Sequence, residues 1–162
     1  MFRELRRIRQ KLSNDDAFKL LKNNNYGILS LNGLDGYPYG VPVNYLLKDQ
    51  TLYFHGASSG LKYELINKDS KSSFCVVDES FVDGETYSNY YKSVICYGKV
   101  SIVVDETKRE NILKEFCYQF NKDKEKNQEY IGKFIKSTTV YEFKIDEISG
   151  KVATKFISDK VK

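Results

Sequence analysis

Residues 26–55 contain three strand-like runs joined by short turns, and this spacing constrains the fold more than any other feature of the chain. Residues 26–31 form an apolar run. Asn32-Gly33-Leu34-Asp35-Gly36 has the glycine and asparagine chemistry of a hairpin turn, and residues 37–47 return as a second strand. Lys48-Asp49-Gln50 turns once more into Thr51-Leu52-Tyr53-Phe54-His55. Connections this short join antiparallel neighbours, so the three runs are expected to form a meander.

The rest of the chain alternates helices with further strands. Ser13 with Asp16 three residues on marks a helix start, with Ala17, Leu20 and Leu21 on one face and Asn23-Asn24-Asn25 at its end. Residues 61–67 read as a short helix with Leu61, Leu65 and Ile66 inward, and residues 72–77 as a fourth strand. The polar stretch 78–89 reads as a loop or irregular edge. Residues 90–104 form a long apolar strand in which Gly98 marks a bend or bulge. An amphipathic helix over 106–120 presents Ile112, Leu113, Phe116 and Phe120. A charged connector (121–127), a helix (128–135) and a last strand (138–148) follow. Six strands with helices between them predict an α+β fold, a six-stranded antiparallel barrel with peripheral helices. It forms one domain over residues 1–162, of which 1–12 are a basic N-terminal extension.

Composition excludes several classes. No apolar run approaches the ~20 residues of a membrane-spanning helix. The charged start, Met1-Phe2-Arg3-Glu4-Leu5-Arg6-Arg7, has no apolar segment of a secretory signal behind it. Cys75, Cys96 and Cys117 lie far apart among apolar or aromatic neighbours, which points to reduced thiols in a cytoplasmic protein and offers no zinc-spaced ligand pair. Lys and Arg number 26 against 22 Asp and Glu, a net charge of +4. The only dense basic cluster is Arg3, Arg6, Arg7, Arg9 and Lys11: either a solvated, partly helical extension or an arm that grips an anion or a second subunit. The later lysines are interleaved with acids, which argues against a nucleic-acid face.

The chemistry concentrates at Leu52-Tyr53-Phe54-His55-Gly56-Ala57-Ser58-Ser59-Gly60-Leu61-Lys62. A strand ends on the only histidine, a loop of small and hydroxyl residues follows, and a helix begins with a lysine in its first turn. Backbone N–H groups at a helix start, two hydroxyls and one cation suit a phosphate. The glycine and lysine spacing is not that of a nucleotide-hydrolysing loop, since no Ser or Thr follows Lys62. Lys62 could equally be a solvated surface lysine, and His55 a strand-end histidine bonded to backbone.

Five blocks in order point to a family: Gly36-Tyr37-Pro38-Tyr39-Gly40-Val41-Pro42-Val43-Asn44-Tyr45, Leu52 to Ala57, Gly60-Leu61-Lys62, Tyr91-Lys92-Ser93-Val94-Ile95-Cys96-Tyr97-Gly98-Lys99, and Ile145 to Lys151. Over residues 18–155 the chain resembles the pyridoxamine 5'-phosphate oxidase-like proteins, and within them the 5-nitroimidazole-resistance, nitroreductase-like branch. The resemblance implies a split β-barrel that forms a homodimer and binds FMN between subunits. It implies that Pro42, Val43, Asn44 and Tyr45 lie along the flavin, and that His55, Gly56, Ala57, Leu61 and Lys62 form its phosphate side. It places Ser93, Val94 and Ile95 past the ring system. Each has a plainer alternative: Pro42 an edge-strand proline, Asn44 an internally bonded amide, and residues 94–97 a buried barrel strand. By the same resemblance His55 is the candidate catalytic residue, a proton donor beside the flavin.

The chain departs from true pyridoxamine phosphate oxidases, whose arginine-rich C-terminal motif holds the substrate phosphate. No arginine follows Arg109 and no tryptophan occurs, so vitamin B6 oxidation is not expected. The expected function is FMN-dependent reduction of a small organic acceptor, a nitroaromatic being the candidate, with NADH or NADPH as electron donor. The alternatives are a non-catalytic flavin-binding protein and a basic module binding nucleic acid or heme.

Overall fold

The computed structural model describes residues 2–135 and 137–158; Met1 and residues 159–162, the two ends of the expected domain, lie outside the described residues, as does Lys136. Ser13 caps α1 (Asn14–Asn23) as expected, its Oγ accepting from the Asp16 N–H at 3.1 Å. Ala17, Leu20 and Leu21 are buried beneath it.

The strands are β1 (Tyr26–Asn32), β2 (Pro38–Asn44), β3 (Leu46–Lys48), β4 (Thr51–Gly56), β5 (Lys71–Asp83), β6 (Ser88–Ile102) and β7 (Thr139–Val152). They form one seven-stranded antiparallel sheet in the order β2-β1-β5-β6-β7-β4-β3. The count is therefore seven, not six, and residues 26–55 are not a simple meander. β1 pairs with β2 and β3 with β4, but β2 and β3 stand at opposite edges of the sheet and are joined only through Tyr45. A chain continuous across both edges curls the sheet on itself, which is consistent with a split barrel. Tyr45 anchors this crossing: its ring is fully buried, edge-on to Phe74 at 5.2 Å, and its hydroxyl donates to the Leu21 carbonyl at 2.6 Å.

The barrel interior is filled by Leu29, Leu52, Phe54, Phe74, Val94, Tyr141 and Phe143, with α1 closing one end. A second cluster lies outside the barrel, where α3 (Glu106–Phe120) covers Tyr53 and Val140 through Ile112, Leu113 and Phe116, and α4 (Lys124–Phe134) packs on α3. α3 spans the expected residues, but Phe120 is exposed; on α2 (Leu61–Lys68) Leu61 is exposed as well, while Leu65 and Ile66 are buried. α4 begins at Lys124, inside the expected connector, because Asp123 caps it by accepting from the Lys126 N–H. A short α5 (Thr154–Ser158) ends the described chain.

Residues 78–89 are not a loop. They extend β5 and β6 into a ribbon with a register shift between Asp78 and Ser80. Both faces of a projecting ribbon meet solvent, so the apolar alternation that marks a packed strand is missing there. Gly98 does sit at a register shift between β6 and β7, and a side chain at that position would collide with the Lys144 carbonyl. No described helix is long and apolar enough to cross a membrane.

Candidate functional site

β4 carries the histidine. Leu52 and Phe54 point into the barrel, so Tyr53 and His55 point outward, toward α3. The His55 imidazole keeps contact with solvent and meets the Phe116 ring edge-on, at 4.9 Å between centroids. It lines a small cleft of ≈ 40 Å³ with Leu113, Cys117, Tyr130, Phe134 and Thr138. The helical wall is tied to the strands by ion pairs of Lys108 with Glu142 and of Lys48 with Glu115. Desolvation by this wall, and secondarily the positive charge of Lys62, hold the His55 pKa below its ordinary value of 6.5. The ring is therefore neutral at pH 7, with one N–H donor and one nitrogen acceptor.

After His55 the chain passes through Gly56, Ala57 and two exposed serines to Gly60, which precedes α2. Gly60 has φ +90°, a left-handed conformation that glycine adopts without strain. Lys62, in the first turn of α2, folds back over β4. Its ammonium lies 5.2 Å from the Tyr141 ring centre and 5.8 Å from that of Phe54. Tyr141 in turn donates to the Ala57 carbonyl at 2.9 Å, fixing the loop. Among the described residues no carboxylate pairs with Lys62, and burial pushes its pKa below 10.5. A desolvated ammonium held only by aromatic faces is a cation placed for an external anion.

The other expected residues divide into two groups. Pro42 and Asn44 are exposed on the edge strand β2, with Val43 half-buried between them against the core. The Asn44 amide donates to the Asn25 carbonyl at 3.1 Å, leaving its side-chain oxygen available. Ile95 is exposed on β6, opposite both Cys75 and Ser149, whereas Ser93, opposite Lys151 on the same side of the strand, is buried. Tyr45 and Val94, in contrast, turn their side chains into the barrel and cannot present them to a ligand outside it. The structure brings Gly56, Ala57 and Lys62 together at one end of β4, with His55 on the neighbouring outward face. Leu61 borders them from an exposed position.

Pro42, Ile28, Cys75 and Ile95 line up across β2, β1, β5 and β6 as one cross-strand row. Tyr26, Ile28, Val77 and Ile95 are large apolar side chains 38–59% exposed on these strands. Contiguous exposed apolar surface of this kind marks an interaction face. Sequence reasoning missed Tyr141 and the α3–α4 wall beside His55. Both faces of β7 are buried from Val140 to Phe143, so no alternation distinguishes Tyr141 from its neighbours.

The basic extension is not free over its whole length. A 3-10 turn (Ile8–Gln10) leads to Lys11, which bridges to Lys151, and the Leu12 N–H donates to the Gly150 carbonyl at 2.9 Å. Arg3, Arg6, Arg7 and Arg9 remain exposed along it.

Residues 13–152 match the family described as pyridoxamine 5'-phosphate oxidase. No curated protein matches the chain. Among solved structures, a candidate 5-nitroimidazole antibiotic resistance protein from Bacteroides thetaiotaomicron superposes with a TM-score of 0.72 at 19% identity, over 88% of this chain and 86% of that one. A flavocytochrome from Azotobacter vinelandii gives 0.77 at 18% identity, over 93% and 72%. An FAD-binding protein from Mesorhizobium loti gives 0.66 at 22%, over 90% and 98%. At these identities the likeness is one of fold.

Proposed function

The chain belongs to the pyridoxamine 5'-phosphate oxidase family, and from that premise we propose that it binds FMN and serves as an FMN-dependent reductase of a small organic acceptor, with nitroaromatics as the candidate class. The observation that carries the reading is the Lys62 ammonium, desolvated over Phe54 and Tyr141 without a carboxylate among the described residues. The residues present suit the cofactor. Lys62 and the Ser58-Ser59-Gly60 turn would hold the phosphate, while Asn44 and Ser93 offer polar atoms for the ribityl chain or ring edge. Similarity to an FAD-binding protein and to a flavocytochrome supports a flavin, and FMN is the flavin whose one phosphate matches the cradle at Lys62.

The flavin, when bound, supplies the two-electron chemistry. The chain's own residues position it and set its surroundings. His55, neutral at pH 7, offers its ring N–H as a hydrogen-bond donor to an acceptor lying against α3, which it does without giving up the proton. Phe116, Tyr130 and Phe134 give that cleft apolar walls; at ≈ 40 Å³ it is too small to enclose an aromatic acceptor, which would lie over its apolar rim instead.

A homodimer is part of the proposal. The exposed row across β2, β1, β5 and β6 is the apolar face a second copy would cover, and Ile95 and Ser93 would then stand beside the partner's cofactor. Cytoplasmic residence, with thiols kept reduced, completes the reading.

The test is direct. The full chain should take up FMN with micromolar affinity or better, about −8 kcal/mol, and sediment at twice 18.8 kDa. Lys62→Ala should weaken FMN far more than riboflavin. Adding NADH or NADPH, then a nitroaromatic, should bleach and restore the flavin absorbance. Protein that takes up no flavin removes the proposal, and flavin that never reoxidises with an acceptor leaves the non-catalytic flavin-binding alternative.

A further inference from the structure

A second cation-lined cavity lies far from Lys62. His55 pairs with Val140 near the start of β7, whereas Lys151 sits eleven residues further along the same strand. At about 3.3 Å per residue, roughly 35 Å of strand separates the two places. Around Lys151 the N-terminal extension, the start of β6 and the end of β7 enclose ≈ 340 Å³. Its polar lining includes Arg7, Gln10, Asn89, Tyr91 and Lys151.

The charge is one-sided. Among the described residues, two cations face this cavity and no carboxylate lines it. The nearest acid along the ribbon, Asp83, is engaged elsewhere: it accepts from the Glu85 and Thr86 N–H groups and lies 3.9 Å from the Lys155 ammonium. Arg7 has no ion-pair partner among the described residues. Lys151 donates to the Tyr91 hydroxyl at 2.6 Å and lies 4.4 Å from the Tyr91 ring centre, which fixes its ammonium while leaving further N–H donors unused.

The fold holds the Lys151 ammonium and anchors the backbone from which Arg7 projects. Arg7 precedes the 3-10 turn, whose Gln10 N–H donates to the Arg7 carbonyl at 2.9 Å, and the next residue, Lys11, bridges to Lys151 itself. Gln10 lines the same cavity, and its side-chain oxygen is buried without a donor. A buried acceptor in that state lacks the hydroxyl or amide partner that such groups ordinarily have.

We propose that this cavity binds a small, hydroxylated phosphate ester. Arg7 and Lys151 grip the phosphate, and the carboxamides of Gln10 and Asn89 meet the hydroxyls of the ligand's body. Guanidinium and ammonium groups set together without a counter-charge select an oxyanion. The volume is that of a small-molecule site rather than of a bare ion. This role takes up part of the basic extension, which the flavin reading leaves unused, and it does not depend on that reading.

Calorimetry on the full chain tests it, with Lys62→Gln introduced to silence the other cation. Glycerol 3-phosphate, inorganic phosphate and glycerol are titrated at constant ionic strength. Glycerol 3-phosphate should saturate at one per chain and bind more tightly than inorganic phosphate, and glycerol alone should give no saturable heat. Arg7→Gln and Lys151→Gln should each weaken the ester about tenfold or more, as expected for losing a charged hydrogen-bond donor. Arg7 is exposed, so its variant reports on binding even if Lys151→Gln fails to fold. Ester affinity unchanged by Arg7→Gln, or ester heats that do not saturate, would overturn the site. Inorganic phosphate binding as tightly as the ester would overturn the ester as its ligand.

Discussion

Gly56→Ala places a methyl group beside the Lys62 ammonium, at a position 2.7 Å from Nζ and 3.4 Å from Cε. Ordinary contact begins near 3.4 Å, so the ammonium must move by about 0.7 Å, and the flexible lysine stem allows this at little cost. Gly56 has no left-handed backbone to protect, and alanine restricts the unfolded chain, a gain of about 0.4–1 kcal/mol. Global stability should therefore hold or rise slightly. Phosphate binding should not. With an effective dielectric of about 20, lengthening one ammonium–phosphate contact from about 2.8 to 3.5 Å loses about 1 kcal/mol per unit of negative charge, or five- to tenfold in affinity. Parallel fluorescence titrations with FMN and riboflavin, together with urea unfolding, separate these effects. The expected result is five- to tenfold weaker FMN binding, unchanged riboflavin binding and an unfolding midpoint that is unshifted or slightly raised. Unchanged FMN affinity would show that Lys62 does not meet the phosphate. Equal losses for both flavins would mean that Gly56 serves the ring instead, and a large drop in stability would refute the packing argument.

Three further outcomes are expected. The single histidine gives one imidazole signal, and its NMR titration midpoint in the folded chain should lie below 6.5 and rise in Lys62→Gln, which removes a neighbouring positive charge. Because the unfolded chain then binds more protons between that midpoint and 6.5, stability should fall as pH drops through this window; a folded midpoint at or above 6.5 contradicts the desolvation argument. Tyr45→Phe removes the buried hydroxyl bonded to Leu21 and should cost about 1 kcal/mol by urea unfolding, with no change expected in flavin affinity. Gly98→Ala drives a methyl into the Lys144 carbonyl and should cost about 3 kcal/mol, measured as loss of thermal stability; a near-neutral result would mean that β6 and β7 can part at the bulge.

Much of the local structure was legible in the residues. Ser13 with Asp16, the span of α3 and the bulge at Gly98 each rest on a short-range rule: a cap, a helical period, or a glycine among bulky strand residues. The grouping of Gly56, Ala57 and Lys62 was legible for the same reason, since a strand, a small-residue turn and a helix start bring them together within a few residues. The break at Tyr45 was not. Tyr39, Val41, Val43 and Tyr45 keep an unbroken two-residue period, and nothing local says that the strand leaves one edge of the sheet for the other. Residues 78–89 read equally as a loop or an irregular edge because the signal for a strand is burial on one face, and this ribbon has none.

By itself, the sequence determined most of the segments that become strands and helices, where a lysine follows a small-residue turn, and that one histidine ends the preceding strand. Those properties depend on neighbours a few residues apart. Only the tertiary structure decided that Lys62 folds over Phe54 and Tyr141, that α3 and α4 desolvate His55, and that Arg7 and Lys151, far apart in the chain, line one cavity. These arrangements arise when the sheet curls and its distant edges close, and closure is a property of long-range packing that no local pattern encodes.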